Sequence, residues 1–292
     1  MNVVNFGSLN IDYTFQVSEI ARPGQTIDSQ HVTCFPGGKG LNQSIAFARA
    51  GGRIFHAGMI GRDGLFLKEL LEKDGVDCTC LKVLEDVGTG KAFIQVDRNG
   101  QNSIVLSGGA NKAITEAHIL AVLNRFSAGD WLLTQNEISH VDLLIDLAEK
   151  RGLRVIFNPS PMSDAALRCP LEKVSLFLLN EDEGARLTGK EDPQGILAAM
   201  AALYPRAEVI LTLGEKGSLW SDGKETIFQE AMPADAVDTT GAGDTYTGYV
   251  LACLSRGEGI RASMRKAARA AAIAVTRKGA ASSIPCLREL AL

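Results

Sequence analysis

The stretch Asp238-Thr239-Thr240-Gly241-Ala242-Gly243-Asp244-Thr245 carries residue types suited to phosphate chemistry. Gly241 and Gly243, one residue apart, let the backbone turn tightly with successive N–H groups facing one point. Apolar residues at helical spacing follow, with Tyr246, Tyr249, Val250 and Leu254 near one face, so residues 241–244 are expected at a helix N-terminus. Unpaired amides and the positive end of the helix dipole make such a terminus an anion site. A carboxylate inside it, Asp244, either takes a proton from an attacking hydroxyl or only caps the helix, and this stretch alone leaves both open.

A second Gly-rich segment, Phe35-Pro36-Gly37-Gly38-Lys39-Gly40-Leu41-Asn42-Gln43, opens a helix over residues 41–50 that Gly51-Gly52 ends. It is not a Walker A loop, because the spacing differs and no Ser or Thr follows Lys39. A lysine and an asparagine at a helix entrance can hold a polyhydroxyl ligand, or the segment is simply a tight turn. Asn10 and Asp12, two apart at a strand end, point to one side, although both residues also favour turns.

The elements that would position these groups alternate in type. Strands are expected at residues 3–6, 13–17, 30–34, 54–60, 91–97, 102–106, 131–134, 155–157, 176–179, 209–213, 218–221 and 226–229. Helices are expected after Asp63, Thr115 and Ser139, each as a cap, and over the Ala-rich residues 260–276. Asn99-Gly100 marks a hairpin. Strand–helix alternation from residue 115 onward predicts a parallel, helix-covered sheet, with ligands at the C-terminal strand ends. The polar clusters Gln135-Asn136-Glu137, Asn158-Pro159-Ser160-Pro161, Asn180-Glu181-Asp182-Glu183 and Gly214-Glu215-Lys216-Gly217 fall at those ends.

Composition narrows the function classes. The 292 residues suit one large domain, and a net charge of −4 without a basic stripe argues against a nucleic-acid partner. No apolar run reaches membrane-spanning length, and residues 1–6 enter a strand pattern at once rather than a leader. Six scattered cysteines and four histidines without ligand spacing suit reduced thiols in a cytoplasmic protein.

The segments Gly37-Gly38-Lys39-Gly40-Leu41-Asn42 and Asp238-Thr239-Thr240-Gly241-Ala242-Gly243-Asp244 together resemble the ribokinase-like, PfkB-type carbohydrate kinases. Gly7-Ser8-Leu9-Asn10-Ile11-Asp12, Asn180-Glu181-Asp182-Glu183, Thr212-Leu213-Gly214 and Val275-Thr276-Arg277-Lys278-Gly279-Ala280 extend the match in the family's order over nearly the whole chain. Within the family the chain looks closest to the ribose kinases. The resemblance implies a three-layer α/β/α sandwich of nine or so strands, mostly parallel, with a small β-sheet lid from about residues 11–34 and 87–108. It also implies transfer of the ATP γ-phosphate to a sugar's primary hydroxyl, most readily that of ribose, by a dimer paired through the lid.

Residue by residue, the resemblance makes Asp244 the catalytic base and the amides of Gly241, Ala242 and Gly243 an anion hole. It gives sugar binding to Asn10, Asp12, Gly38, Lys39, Gly40, Asn42 and Glu137. Thr212, Leu213, Gly214, Glu215, Lys216 and Gly217 match the nucleotide loop, and Asn180 and Glu183 match positions that order the phosphates and Mg²⁺, largely through water. Asp238, Thr240, Ala274, Arg277, Gly279 and Ser283 match a monovalent cation site, usually for K⁺. Asn136, Lys91 and Ala268 depart from the family's usual residues. Rival expectations are a kinase for deoxyribose, fructose, a sugar phosphate or a nucleoside, and a sugar-binding regulator without catalysis. A nicotinamide dehydrogenase lacks its Gly-x-Gly-x-x-Gly after the first strand.

Overall fold

In the computed structural model, which describes residues 1–290, the first half runs β1 (Val3–Phe6), β2 (Asn10–Gln16), β3 (His31–Gly37), α1 (Lys39–Arg49), β4 (Phe55–Gly61), α2 (Leu65–Lys73), β5 (Asp77–Leu84), β6 (Gly90–Val96), β7 (Asn102–Ser107), α3 (Glu116–Leu123) and β8 (Trp131–Gln135). The second half runs α4 (Val141–Lys150), β9 (Arg154–Asn158), α5 (Asp164–Leu167), β10 (Leu176–Asn180), α6 (Glu181–Thr188), α7 (Pro193–Leu203), β11 (Glu208–Thr212), β12 (Ser218–Ser221), β13 (Thr226–Gln229), α8 (Ala242–Ser255) and α9 (Ile260–Ala274).

Nine strands form one sheet in the order β13-β12-β11-β10-β9-β8-β1-β4-β5, parallel from β11 to β5, with antiparallel β12 and β13 at one edge. The inner strands read as unbroken apolar runs because both faces are covered. Period-two alternation divides them. Val3, Leu133, Ile156, Leu178 and Ile210 pack into one core with α1, α2, α8 and α9, while Val4, Leu132, Val155, Leu179 and Leu211 pack into the other with α3, α4 and α7. The strand order reverses between β1 and its neighbours β4 and β8, which is where parallel sheets open a crevice.

A second sheet, β3-β2-β6-β7, stands outside this body. Asp63 ties it down. Its carboxylate accepts from the Thr89 N–H (2.8 Å), the Thr89 hydroxyl (2.7 Å) and the Lys91 ammonium (2.8 Å). Burial acts to raise the Asp63 pKa, but these donors outweigh it and lower it to about 2. The expected cap role is therefore overturned. Gly64 precedes α2 without a side-chain cap, because Asp63 has stronger partners across the chain. Ser139 differs in the same way. Its hydroxyl donates to the Ile114 carbonyl (3.1 Å), and His140, in the left-handed region at φ 58°, precedes α4. Thr115 does cap α3, accepting from the His118 N–H. The edge strand β5 has no counterpart among the expected strands. Among the described residues no helix is long and apolar enough to cross a membrane.

Candidate functional site

Helix α8 begins where the Gly-rich stretch predicts. Gly241 precedes it in the left-handed region at φ 76°, and its α-carbon leaves room for Ala280, which would stand 3.0 Å from a β-carbon there. The first helical bond runs from Thr245 N–H to Gly241 carbonyl (2.8 Å), so the Gly243 and Asp244 amides precede the helical ladder. The Ala242 amide instead donates to the Thr239 carbonyl (3.2 Å), which commits one of the three donors expected in the anion hole to the turn itself.

Asp244 is buried and caps nothing on its own helix. Its Oδ2 accepts from Asn42 Nδ2 and its Oδ1 from Gln43 Nε2, both at 2.9 Å and both near the start of α1. The two helices can meet this closely because Gly248, one turn beyond Asp244, faces α1 without a side chain. A β-carbon there would come within 2.4 Å of Ala46 Cβ and 2.6 Å of Phe47 N. Of the two expectations, the cap is not met. The carboxylate is turned across to α1, and each oxygen retains acceptor capacity.

A cavity of about 260 Å³ opens beside it, lined among others by Lys39, Asn180, Glu183, Thr212, Gly243 and Asp244. Nothing stands within 4 Å of where a β-carbon on Gly243 would project, so that position faces open space. The Lys39 ammonium is pushed to a higher pKa chiefly by Asp244, against its own burial, with Glu137 and Glu183 adding to the effect. A held positive charge beside the carboxylate and the helix amides suits a transferred phosphoryl group.

On the far side of Lys39, toward the second sheet, the remaining polar residues converge without lining that cavity. Glu137 Oε2 accepts from the Ser8 hydroxyl and from the Lys39 N–H (3.0 Å). Asn10 Oδ1 accepts from Asn111 Nδ2 (2.8 Å), and Asn111 is pinned to both backbone groups of Leu9. Gly38 takes φ 94°, and Gly40 lies so close to Ser8 that a β-carbon would be 2.4 Å from its nitrogen. Asp12 Oδ1 is buried with no partner among the described residues. Burial, with Glu137 nearby, raises the Asp12 pKa to about 7.

That shift makes a prediction. The folded chain holds a proton on Asp12 that the unfolded chain, at the ordinary value of 3.8, has lost, so stability falls as pH rises between about 3.8 and 7 and is level above. Asp12→Asn should flatten this part of a pH series of thermal melts. An unchanged slope in the variant would show that another group titrates.

Also lining the cavity, Asn180 and Glu183 form a capping box at the start of α6. Asn180 Oδ1 accepts from the Glu183 N–H (2.8 Å) and Glu183 Oε2 from the Asn180 N–H (3.1 Å). The Asn180 oxygen is therefore committed, leaving its NH₂, which suits a phosphate oxygen or a metal-bound water rather than a bare cation. Glu183 is buried, which raises its pKa against the hydrogen bonds it accepts, and it lines the cavity. Thr212 lines it too, whereas Leu213, Gly214, Glu215, Lys216 and Gly217 are not part of the lining; Gly214 takes φ 57° and Gly217 φ 118°. Lys216 reaches back to Glu181 at 3.7 Å.

Asp238 joins the turn before α8 to the loop after α9, accepting from the Thr240 N–H and the Gly279 N–H, both at 2.9 Å. Burial opposes these bonds, yet they hold its carboxyl below the usual range. Ser283 donates its hydroxyl to the Ala280 carbonyl (2.8 Å), and the Ala274 carbonyl accepts from Arg277 N–H (3.0 Å). Among the residues departing from the family, Asn136 braces the next loop through the Pro161 carbonyl (2.7 Å) and Ser163 Oγ (2.8 Å), Lys91 is paired with Asp63, and Ala268 is buried on α9.

Sequence reasoning gave no role to Gln43, Ser8 or Asn111 around the site, although Gln43 and Ser8 stood inside quoted motifs. It placed Gln135 and Asn158 in polar clusters on the ligand side of the sheet without assigning either a contact, and the structure joins both to Gln43.

The chain matches the description "pfkB family carbohydrate kinase" over residues 1–287. It is 35% identical over 294 residues to a ribokinase of Haemophilus influenzae, covering 97% of this chain and 95% of that protein. A ribokinase of Cryptococcus neoformans, solved in complex with ADP, superposes with a TM-score of 0.87 at 35% identity over 99% of this chain and 98% of the other. A ribokinase of Arabidopsis thaliana, solved with ribose and ATP, gives a TM-score of 0.86 at 30% identity over 99% and 97%.

Proposed function

The chain belongs to the pfkB family of carbohydrate kinases, and from that premise we propose that it transfers the γ-phosphate of ATP to the primary hydroxyl of ribose. The observation that carries the proposal is that Asp244, at the N-terminus of α8, shares one cavity with Lys39, Asn180, Glu183 and Thr212. The sugar lies between Asn10, Asp12, Gly38, Lys39, Gly40, Asn42 and Glu137, where the unpartnered Asp12 oxygen and the Asn42 Oδ1, also buried without a partner, find hydroxyls to bind. Its primary hydroxyl gives its proton to Asp244 as its oxygen attacks the γ-phosphorus in line, and the bond from that phosphorus to the bridging oxygen breaks to release ADP. The Gly241 and Gly243 amides and Lys39 meet the charge on the phosphoryl oxygens, and Ala242 holds the turn.

Mg²⁺ would lie with its water shell toward Glu183 and the Asn180 NH₂, neutralising phosphate charge. Asp238, the carbonyls of Thr240, Ala274, Arg277 and Gly279, and Ser283 would hold K⁺. A loop already tied by Asp238 and packed against Gly241 through Ala280 supports that assignment. Segments 11–34 and 87–108 act as a lid that excludes water from the transfer. Exposed Val32, Phe35, Phe93, Ile104, Val105 and Leu106 on that sheet, with its open edges, support pairing with a second copy, which light scattering checks. The cysteines are all free, which suits a reducing, cytoplasmic setting.

The test is ADP release over a panel of ribose, deoxyribose, fructose and nucleosides, with and without K⁺. Ribose should give the highest kcat/KM, and K⁺ should raise it. ADP release with a nucleoside alone would reassign the acceptor. Sugar binding by calorimetry with no ADP from any acceptor would replace the kinase with a sugar-binding regulator.

A further inference from the structure

A buried chain of amides, none of which the reaction uses, ends on Asp244. Asn5, Gln43 and Gln135 are wholly buried. At one end the Gly40 carbonyl can only accept, so Asn5 must turn Nδ2 toward it (2.8 Å), where it also donates to Ser44 Oγ (2.9 Å). Asn5 Oδ1 then faces Gln135, which has to present Nε2 (3.0 Å). The same Nε2 donates to Gln43 Oε1 (2.7 Å). That leaves Gln43 Nε2 for Asp244 Oδ1 (2.9 Å) and Asn158 Oδ1 (3.1 Å). Asn158 is fixed in turn, because its own Nδ2 donates to the Leu178 carbonyl (2.9 Å). Two main-chain carbonyls, on α1 and β10, thus set the direction of every amide between them. The N–H of Gln43, and not its C=O, must meet the carboxylate.

Beyond Asn5, Ser44 Oγ lies 2.8 Å from His56 Nδ1, a ring that burial keeps neutral, so this branch does not oppose the direction of the chain. Gln135 Oε1 has no partner among the described residues, and a β-carbon on Gly7 would stand 2.5 Å from it. An unpaired buried acceptor is costly, and an apolar side chain of similar size would fill the place without that cost. The feature a leucine could not supply is the pair of N–H donors.

We infer that Gln135 is a positioning residue, which acts through Gln43 to fix the plane of the Asp244 carboxylate against its second strut, Asn42. The inference rests on Asp244 being the proton acceptor. Gln135→Met keeps length and volume and removes the donors. Turnover should fall about tenfold to a hundredfold, the scale of a misplaced catalytic group. KM for sugar and ATP should change little, because Gln135 touches neither. In the Asp244→Asn background the same replacement should leave residual turnover nearly unchanged, since no carboxylate remains to be aimed. Gln43→Met serves with the same readouts if Gln135→Met does not fold. Unaltered kcat in folded Gln135→Met, or an equal fold loss in both backgrounds, overturns the inference. Wild-type turnover in Asp244→Asn overturns the base assignment itself, whereas an inert Gln135→Met beside a crippled Asp244→Asn removes only the positioning role.

Discussion

Asp244→Asn should turn over roughly a hundredfold or more slowly than the native enzyme, because the attacking hydroxyl loses its proton acceptor. Sugar binding, measured by calorimetry, should be largely kept, since Asn10, Asp12 and Glu137 are untouched. The replacement preserves shape but not hydrogen bonding. Asn42 and Gln43 both donate to the native carboxylate, one to each oxygen, whereas asparagine offers one acceptor and one donor. One amide then meets another N–H, which should cost about 1–3 kcal/mol of stability. Lys39 also loses the neighbour that chiefly raises its pKa. Coupled ADP release and thermal melts together separate these effects. Near-native turnover would remove Asp244 as the base.

Gly243→Ala should separate stability from activity even more sharply. This glycine has no left-handed φ and meets nothing within 4 Å at its β-carbon position, so alanine fits the helix. Alanine is favoured over glycine within helices by about 0.5–1 kcal/mol, and the melting temperature should hold or rise. The added methyl nevertheless enters the space beside the amides at the cavity, where the phosphoryl oxygens are proposed to sit. Losing an oxyanion donor costs about 10²–10³ in turnover, and a comparable loss is expected here. A stable, fully active variant would show that the phosphoryl group lies elsewhere.

Much of this fold is legible in the sequence because its strands are buried on both faces. Runs such as Leu176-Phe177-Leu178-Leu179 have few alternatives to an inner parallel strand. The edge strand β5 was not legible, because its register shifts near its start, so that Cys78 packs into one core and Cys80 into the other, and the two drew attention as a cysteine pair rather than as part of a strand. The α8 entrance could be read from Gly241 and Gly243, since backbone geometry there depends on local residue type. That Asp63 and Ser139 would fail as caps could not be read, because both side chains answer to partners distant in sequence, Thr89 and Lys91 for one and Ile114 for the other. The amide chain behind Asp244 was hidden for the same reason. A glutamine near the start of a helix resembles a surface residue until α8 packs against it across Gly248.

The central claim is transfer of a phosphoryl group from ATP to a primary sugar alcohol at Asp244. Phosphorus–proton correlation NMR of the product made from ribose and ATP tests it most directly. The phosphorus should couple to the two protons of the terminal CH₂, and Asp244→Asn should yield almost none of that signal in the same time. A phosphorus coupled to the anomeric or another ring proton, or no sugar phosphate at all while ribose is bound, would contradict it.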